Sequence, residues 1–286
     1  MRMAVGLVLV LAQLGCRQLL DLDPPTQRTD DASPVADATA DASTPADATA
    51  YHATAVQFST ASNDYLTTNA LAHTGNSPRG TASYWVRFTA GDANQQLIVV
   101  AAVEVGTVGV AGGIYRTADD HFGFLMYDCA GGKLLDMKSN STYTTASGWV
   151  HVLAAWDVSA GLAQLYVNGA PDLAAGPTIN NGNICYTAWK WGVGGLSSGS
   201  LDAGLADVYA SLGTFVDLGS AANRQLFEDG AQKPVDLGAS CETPEQATPT
   251  LCFTGSAATW NMNKGSGDGF TVEGTPLAPA ATSPSD

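Results

Sequence analysis

The chain has 286 residues, a formal net charge of −15 at pH 7 and a charged fraction of only 14%. Its 12 lysines and arginines form no cluster, which excludes the basic surface that nucleic-acid binding requires. The 31 glycines, and the lack of any helix-length segment rich in Leu, Glu and Lys, favour an all-β protein.

Residues 1–16 have the pattern of a secretory signal peptide that ends at a cysteine. Arg2 supplies the positive start, and residues 5–11 form an apolar run too short to span a bilayer, which takes ~20 residues. We therefore expect export, with Cys16 as the lipidation site of a cell-envelope or outer-membrane lipoprotein. Gln13 stands where lipoprotein signals typically carry Leu, so ordinary secretion is the alternative.

Residues 17–50 are expected to form a disordered tether. From residue 28 onward this stretch consists almost wholly of Ala, Asp, Thr, Ser and Pro, and Val35 is its only large apolar residue. Such a composition cannot bury enough apolar surface to offset the entropy of ordering. A tether of this kind would hold a folded part clear of a membrane surface.

Residues 51–275 are expected to form one β-sandwich domain that includes a C-terminal extension, followed by a disordered tail at 276–286. Short β-rich runs separated by Gly, Asn and Asp predict strands at 55–59, 82–88, 96–103, 113–116, 122–127, 149–156, 162–167, 188–193 and 205–210. In the extension, Ser220 is expected to cap a short helix over 221–228. Three brief strands are predicted there at 235–238, 250–253 and 270–272.

Four cysteines follow Cys16, and an even number in an exported protein predicts two disulfides. Four cysteines allow three pairings. We favour Cys241 with Cys252, which closes a local loop, and Cys129 with Cys185, which ties two strands. Zinc is not expected, because no two cysteines have the close spacing of a zinc knuckle.

Several short motifs, in a consistent order, carry a family resemblance. The sequence Gly-Trp-Val-His-Val at 148–152 is followed by Tyr-Val-Asn-Gly at 166–169, a favoured hairpin turn. Together with the segments 56–58 and 63–66, they make the chain similar to the concanavalin A-like lectin/glucanase superfamily, and within it to laminin-G-like modules, over about residues 55–212. The resemblance implies a jelly-roll sandwich of two antiparallel sheets.

The catalytic patterns of hydrolases are absent or poorly placed. Glycosidases of the superfamily carry two Glu on one strand four positions apart, and the five Glu after residue 100 do not have this spacing. The sequence Gly-Leu-Ser-Ser-Gly at 195–199 matches the nucleophile-elbow pattern, but a strand rather than a helix is predicted after it, so we expect a loop. His151 lies between two valines on a predicted strand and is expected to be structural. Enzymatic activity is therefore not the leading expectation.

Two tryptophans are the main candidates for ligand binding. Trp189 and Trp191 would alternate on one face of the predicted strand and could form a platform for a sugar ring, with Asn180, Asn181 and Asn183 as hydroxyl partners. Core packing of both tryptophans is the competing interpretation, because residues two apart on a sandwich strand commonly face the partner sheet.

Calcium is the cofactor that the resemblance implies, bound by oxygen ligands in loops at a sheet rim. The predicted turns hold carboxylates at Asp64, Asp119, Asp120, Asp157 and Asp202, of which the adjacent pair Asp119 and Asp120 is the leading metal candidate. Local turn chemistry is the competing interpretation.

The sequence thus favours a non-catalytic binding module in the cell envelope or secreted, which recognises a glycan or an envelope protein. One alternative is a carbohydrate-active enzyme with an atypical carboxylate pair. Another is a structural envelope or appendage protein with no small ligand.

Overall fold

A computed structural model describes residues 51–105 and 108–286, so the predicted signal peptide, Cys16 and the predicted tether lie outside the described residues. The strands, in chain order, are β1 (Ala55–Phe58), β2 (Tyr65–Thr68), β3 (Arg79–Phe88), β4 (Gln96–Val105), β5 (Val108–Arg116), β6 (Phe122–Tyr127), β7 (Lys133–Lys138), β8 (Val150–Asp157), β9 (Leu162–Val167), β10 (Ala170–Pro171), β11 (Thr178–Ile179), β12 (Lys190–Val193), β13 (Ala203–Leu212), β14 (Leu251–Phe253), β15 (Thr271–Glu273) and β16 (Ala278–Pro279).

The strands form two eight-stranded antiparallel sheets, which confirms the predicted all-β sandwich. The first sheet has the order β10-β9-β8-β3-β13-β1-β16, with β14 beside β13, and is called the covered sheet below. The second has the order β11-β7-β6-β5-β4-β12-β2-β15 and is called the open sheet. Most neighbouring strands are distant in sequence, so the fold depends on long-range pairing.

The core between the sheets follows from the period of two along each strand. On β8, Val150, Val152, Ala154 and Trp156 all point into it and are almost fully buried. The intervening residues of β8 point to the outer face of the covered sheet. This alternation is the pattern that predicted strand 149–156 from the sequence.

Part of the C-terminal segment, which comprises residues 213–286, packs on the outer face of the covered sheet. Phe227 and Leu237 of this segment contact Leu153 of β8 and Tyr209 of β13, and all four side chains are buried. The covered sheet is consequently buried on both faces. The solvent-facing surface of the sandwich is provided by the open sheet.

The expectation that residues 276–286 are disordered is wrong, because part of this stretch pairs with the first strand. β16 pairs antiparallel with β1, and Ser283 donates a hydrogen bond from its hydroxyl to the backbone carbonyl of Ala53. The end of the chain therefore closes the sheet edge beside β1, where unpaired backbone groups would otherwise be exposed.

Two expectations for the C-terminal segment are also wrong. The predicted helix over 221–228 is a single turn, α1 (Ala221–Arg224), and the Ser220 side chain makes no capping hydrogen bond. Residues 235–238 form no strand; they belong to a loop held by its packing against the covered sheet. None of the helices in the described ranges is long and apolar enough to cross a membrane.

Both disulfides have the favoured pairing. Cys129 bonds to Cys185 and ties the turn after β6 to the loop before β12. Cys241 bonds to Cys252 and fixes the C-terminal segment to β14. Because disulfides persist in oxidising compartments, the two bonds indicate an extracytoplasmic location.

Candidate functional site

The open sheet carries a shallow cleft on its outer face. The cleft has a volume of about 220 Å³ and includes contributions from β4, β5 and β6 and from the residue before β4. The residues that line it are Gln95, Leu97, Val99, Val100, Gly112, Gly113, Ile114, Tyr115 and Leu125. It therefore lies on the face that the C-terminal segment leaves uncovered.

Tyr115 forms one wall of this cleft, and its ring lies directly over a glycine of the neighbouring strand. A Cβ atom built on Gly123 would lie 2.7 Å from two ring atoms of Tyr115, closer than real contacts allow. Tyr115 and Gly123 are partners in the β5–β6 register. The glycine thus lets the aromatic ring lie down on the sheet, half-buried, rather than stand up from it.

The strand registers extend this arrangement into two rows that cross the open sheet. In the first row, Tyr115 is opposite Gly123, which is opposite Lys138 of β7. In the second row, Gly113 is opposite Leu125, which is opposite Asp136 of β7. Ring and apolar surface therefore lie beside an ammonium and a carboxylate.

The charges beside the cleft are paired with one another. Lys133 donates a hydrogen bond of 2.7 Å to Asp136, and the Lys138 ammonium lies 3.5 Å from the Asp119 carboxylate. Burial, followed by the negative charge of Asp136, raises the pKa of Tyr115, so its hydroxyl stays protonated and can donate a hydrogen bond.

The predicted metal candidates, Asp119 and Asp120, belong to the turn between β5 and β6. The Asp119 carboxylate lies near Lys138 and His121, and a hydrogen bond from the Thr117 side chain leads the causes that lower its pKa. Asp120 lies 3.5 Å from the Arg116 guanidinium and accepts a hydrogen bond from the backbone of Ala93. Both carboxylates are thus neutralised by protein groups.

The other turn aspartates likewise accept hydrogen bonds from the protein. Asp64 accepts from Thr275, Asp157 from Arg79 and Ser159, and Asp202 from Thr60. Among the described residues, no group of three or more His, Cys, Asp or Glu side chains could hold a metal ion. Each of these three carboxylates thus has hydrogen-bond donors of the protein as partners, most of them distant in the sequence.

The two tryptophans do not form one platform. Strand β12 begins at Lys190, one residue after Trp189, so the expected alternation does not hold. Trp191 is 5% exposed in the core, whereas Trp189 is 50% exposed. The predicted asparagines lie in the loop before β12: Asn180 donates a hydrogen bond to the backbone carbonyl of Lys133, and Asn181 and Asn183 are exposed.

A buried chain of hydrogen bonds lies on the outer face of the covered sheet. The Ser83 hydroxyl is 2.8 Å from Nε2 of His151, and Nδ1 of His151 is 3.0 Å from the Glu228 carboxylate. The ring of Trp85 stacks on His151 with centroids 4.6 Å apart. The spacing resembles a catalytic triad, but Ser83 is only 2% exposed, so a substrate has no access to its hydroxyl. The expectation that His151 is structural fits this geometry.

A second buried carboxylate, Asp207, lies at an irregularity in β13. Its register with β3 shifts between Ala206 and Tyr209, and Asp207 adopts a φ of +46°. The Tyr51 hydroxyl donates a hydrogen bond of 2.9 Å to Oδ1, whereas Oδ2 is buried with no partner. Burial raises the pKa of Asp207 to about 7.

Sequence reasoning missed the cleft, although a signal was present in the glycines. Gly112, Gly113 and Gly123 interrupt strands that are otherwise rich in apolar and aromatic residues. Glycine inside a strand often marks a bulge or a close approach of another group. Here Gly113 has a φ of +148° at the cleft floor, and Gly123 underlies Tyr115.

Comparison with known proteins gives one family match. A family model described as the concanavalin A-like lectin/glucanases superfamily matches residues 59–208. No curated protein sequence matches the chain.

Several solved structures are similar at low sequence identity. A heptameric SAP-like pentraxin from Limulus polyphemus is 12% identical with a TM-score of 0.49, over 80% of this chain and 94% of that one. Domains LG4-5 of the mouse laminin α1 chain are 15% identical with a TM-score of 0.41, over 59% and 44%. The ligand-binding domain of botulinum neurotoxin serotype D, in complex with N-acetylneuraminic acid, is 12% identical with a TM-score of 0.39, over 55% and 40%. The chain thus spans less than half of the last two.

Proposed function

Because the chain belongs to the concanavalin A-like lectin/glucanases superfamily, we propose that it is a non-catalytic carbohydrate-recognition module that acts outside the cytoplasm. The binding surface is the cleft on the open sheet. The observation that carries this proposal is the ring of Tyr115 lying over Gly123, on the face that the C-terminal segment leaves free.

The cleft has the parts that a sugar needs. A pyranose has an apolar face that can pack on an aromatic ring, and hydroxyls at its edge that need hydrogen-bond partners. Tyr115 supplies the ring, while Gln95, Asp136 and Lys138 supply donors and acceptors around it. The Asp119 carboxylate beside the cleft is not a general acid, because a general acid needs a raised pKa and that of Asp119 is lowered.

Titration of the purified protein against a panel of neutral and acidic polysaccharides tests this proposal. We expect Tyr115→Ala to weaken binding of the recognised glycan by about fivefold, since an aromatic contact contributes ~1 kcal/mol and 1.4 kcal/mol is a tenfold change. Tyr115→Phe keeps the ring and should retain most of the affinity. Isothermal calorimetry measures both changes.

Trp189→Ala is the matched control, because it removes a large exposed aromatic residue that lies outside the cleft lining. It should leave glycan affinity unchanged. Loss of binding in Trp189→Ala but not in Tyr115→Ala would move the site to the loop before β12. Absence of binding across the whole panel would contradict the carbohydrate proposal and favour a protein partner or a structural role.

We further propose that Cys16 is acylated and anchors the module to the cell envelope through the segment 17–50. The support is the signal-like pattern of residues 1–16 and the acidic, core-free composition that follows. In cells, Cys16→Ser should shift the protein from the membrane fraction to the soluble fraction, as followed by immunoblotting. An unchanged distribution, or no incorporation of labelled fatty acid into the parent protein, would favour simple secretion.

A further inference from the structure

A loop folds onto the open sheet on the β12 side of the cleft. A Cβ atom built on Gly192 of β12 would lie 1.9 Å from the carbonyl oxygen of Gly195, so this loop rests directly on the outer face of the sheet. A bridge between Gly195 and Gly199 makes the loop a tight hairpin. The nucleophile-elbow pattern at 195–199 is therefore a covering loop.

The strand registers place this loop immediately beside the cleft. Gly192 is opposite Val100 of β4, and Val100 is opposite Gly113 of β5. Val100 and Gly113 line the cleft, and neighbouring strands are ~4.8 Å apart. The loop thus covers the strand next to the cleft floor.

The opposite end of the same row is open. Beyond Gly113 the row continues through Leu125 and Asp136 to Thr178 of β11, the edge strand. Leu125 and Asp136 are partly exposed and Thr178 is exposed. A chain that leaves the cleft over β7 and β11 meets partly exposed side chains, whereas one that leaves over β12 meets the 195–199 loop.

Charge around the cleft favours an uncharged ligand. Asp136 is paired with Lys133, and Asp119 with Lys138, so no unbalanced cation is directed at the cleft from β7 or from the turn before β6. The protein as a whole carries a net charge of −15. At long range this net negative charge repels an anionic sugar.

From this geometry we infer that the cleft binds the end of a neutral glycan chain. The terminal sugar packs on Tyr115 against the 195–199 loop, and the remaining sugars extend over β7 and β11. Gln95, Asp136 and Lys138 are the side chains placed to select the hydroxyl pattern. This inference rests on the proposed carbohydrate recognition.

The dependence of affinity on glycan chain length distinguishes binding to the end of the glycan from binding to its interior. The probes are a linear neutral glycan that binds in the panel, supplied as oligomers of two to six sugars and as polymer, and the same oligomer capped with sialic acid. We expect the affinity per mole of chain to be nearly equal from the trimer to the polymer. We expect the sialylated cap to weaken binding by more than tenfold.

The outcomes distinguish this inference from the proposed function. Affinity per mole of chain that rises with the number of internal sugars, together with loss of binding in Tyr115→Ala, would overturn end recognition and leave carbohydrate binding standing. Tight binding of the sialylated oligomer would overturn the preference for a neutral end. Absence of binding to every glycan would overturn both proposals.

Discussion

Replacing His151 with Ala is expected to destabilise the protein by about 3 to 5 kcal/mol, the cost of breaking a buried charged or hydrogen-bonded pair by removing one partner. The change leaves the Ser83 hydroxyl and the Glu228 carboxylate buried without their common partner. It also removes the stacking of His151 on Trp85. A domain of this size should lose ~10 °C in Tm, measured by calorimetry.

Removal of Glu228, the partner of His151 on the C-terminal segment, should also destabilise the protein. Glu228→Ala removes the hydrogen bond between this segment and His151 of β8 and should destabilise the protein by ~2 to 3 kcal/mol. Asp268→Ala, at an exposed acidic residue of the same segment, should be neutral. A Tm loss below 2 °C in His151→Ala would contradict the structural role. Labelling of Ser83 in the folded protein by a serine-directed phosphonate would contradict it more directly.

The strands of the sandwich were predictable because alternation along a buried strand is a local pattern. The run at 149–156 needed only its own residues to be recognised. β7, with the sequence Lys-Leu-Leu-Asp-Met-Lys, was missed because it lacks β-branched residues and becomes a strand through pairing with β6. β16 was missed for the same reason, since its two residues are strand only beside β1.

The site was less predictable than the fold, because it depends on which surface another segment covers. The sequence predicts Trp189 and Trp191 as binding residues because both are large aromatics. Strand β12 begins at Lys190, so Trp189 lies before the strand and is exposed, whereas Trp191 lies within the strand and is buried. Tyr115 is an ordinary strand residue in the sequence. It becomes notable only because Gly123, eight positions later, is its partner across the sheet.

The buried chain of hydrogen bonds through His151 was also only partly predictable from the sequence. Its members come from β3, β8 and the C-terminal segment, at sequence separations of 68 and 77 residues. The sequence indicated that His151 is structural, but not that Glu228 is its partner. Long-range partners of this kind follow from topology, which a single sequence does not specify.

Ionisation of the buried Asp207 is expected to make the stability of the protein fall as pH rises. Burial raises the pKa of Asp207 from an ordinary value near 4 to about 7; the hydrogen bond from Tyr51 and the charge of Lys264 oppose this rise, and the charge of Asp236 adds to it. A raised folded-state pKa gives stability that is fully present below about pH 4 and is lost as pH rises through 7. The loss can reach about 4 kcal/mol, since one pKa unit is 1.36 kcal/mol.

We expect Asp207→Asn to remove this dependence. Asn keeps the oxygen that accepts the Tyr51 hydroxyl and tolerates a positive φ, so the variant should match the parent near pH 4. At pH 8 it should be the more stable of the two by up to about 4 kcal/mol, measured by urea unfolding across this range.

Asp217→Asn is the control, because the pKa of Asp217 is lowered in the folded protein whereas that of Asp207 is raised. Asp217 is exposed, and hydrogen bonds from Gln164 and Gly219 lower its pKa, so losing its charge should never stabilise the protein at high pH. If Asp207→Asn and the parent show the same stability at pH 4 and pH 8, Asp207 is not a buried acid that ionises near neutrality. If the difference appears only for Asp207, the bulge in β13 makes folding of the module dependent on pH between 4 and 7.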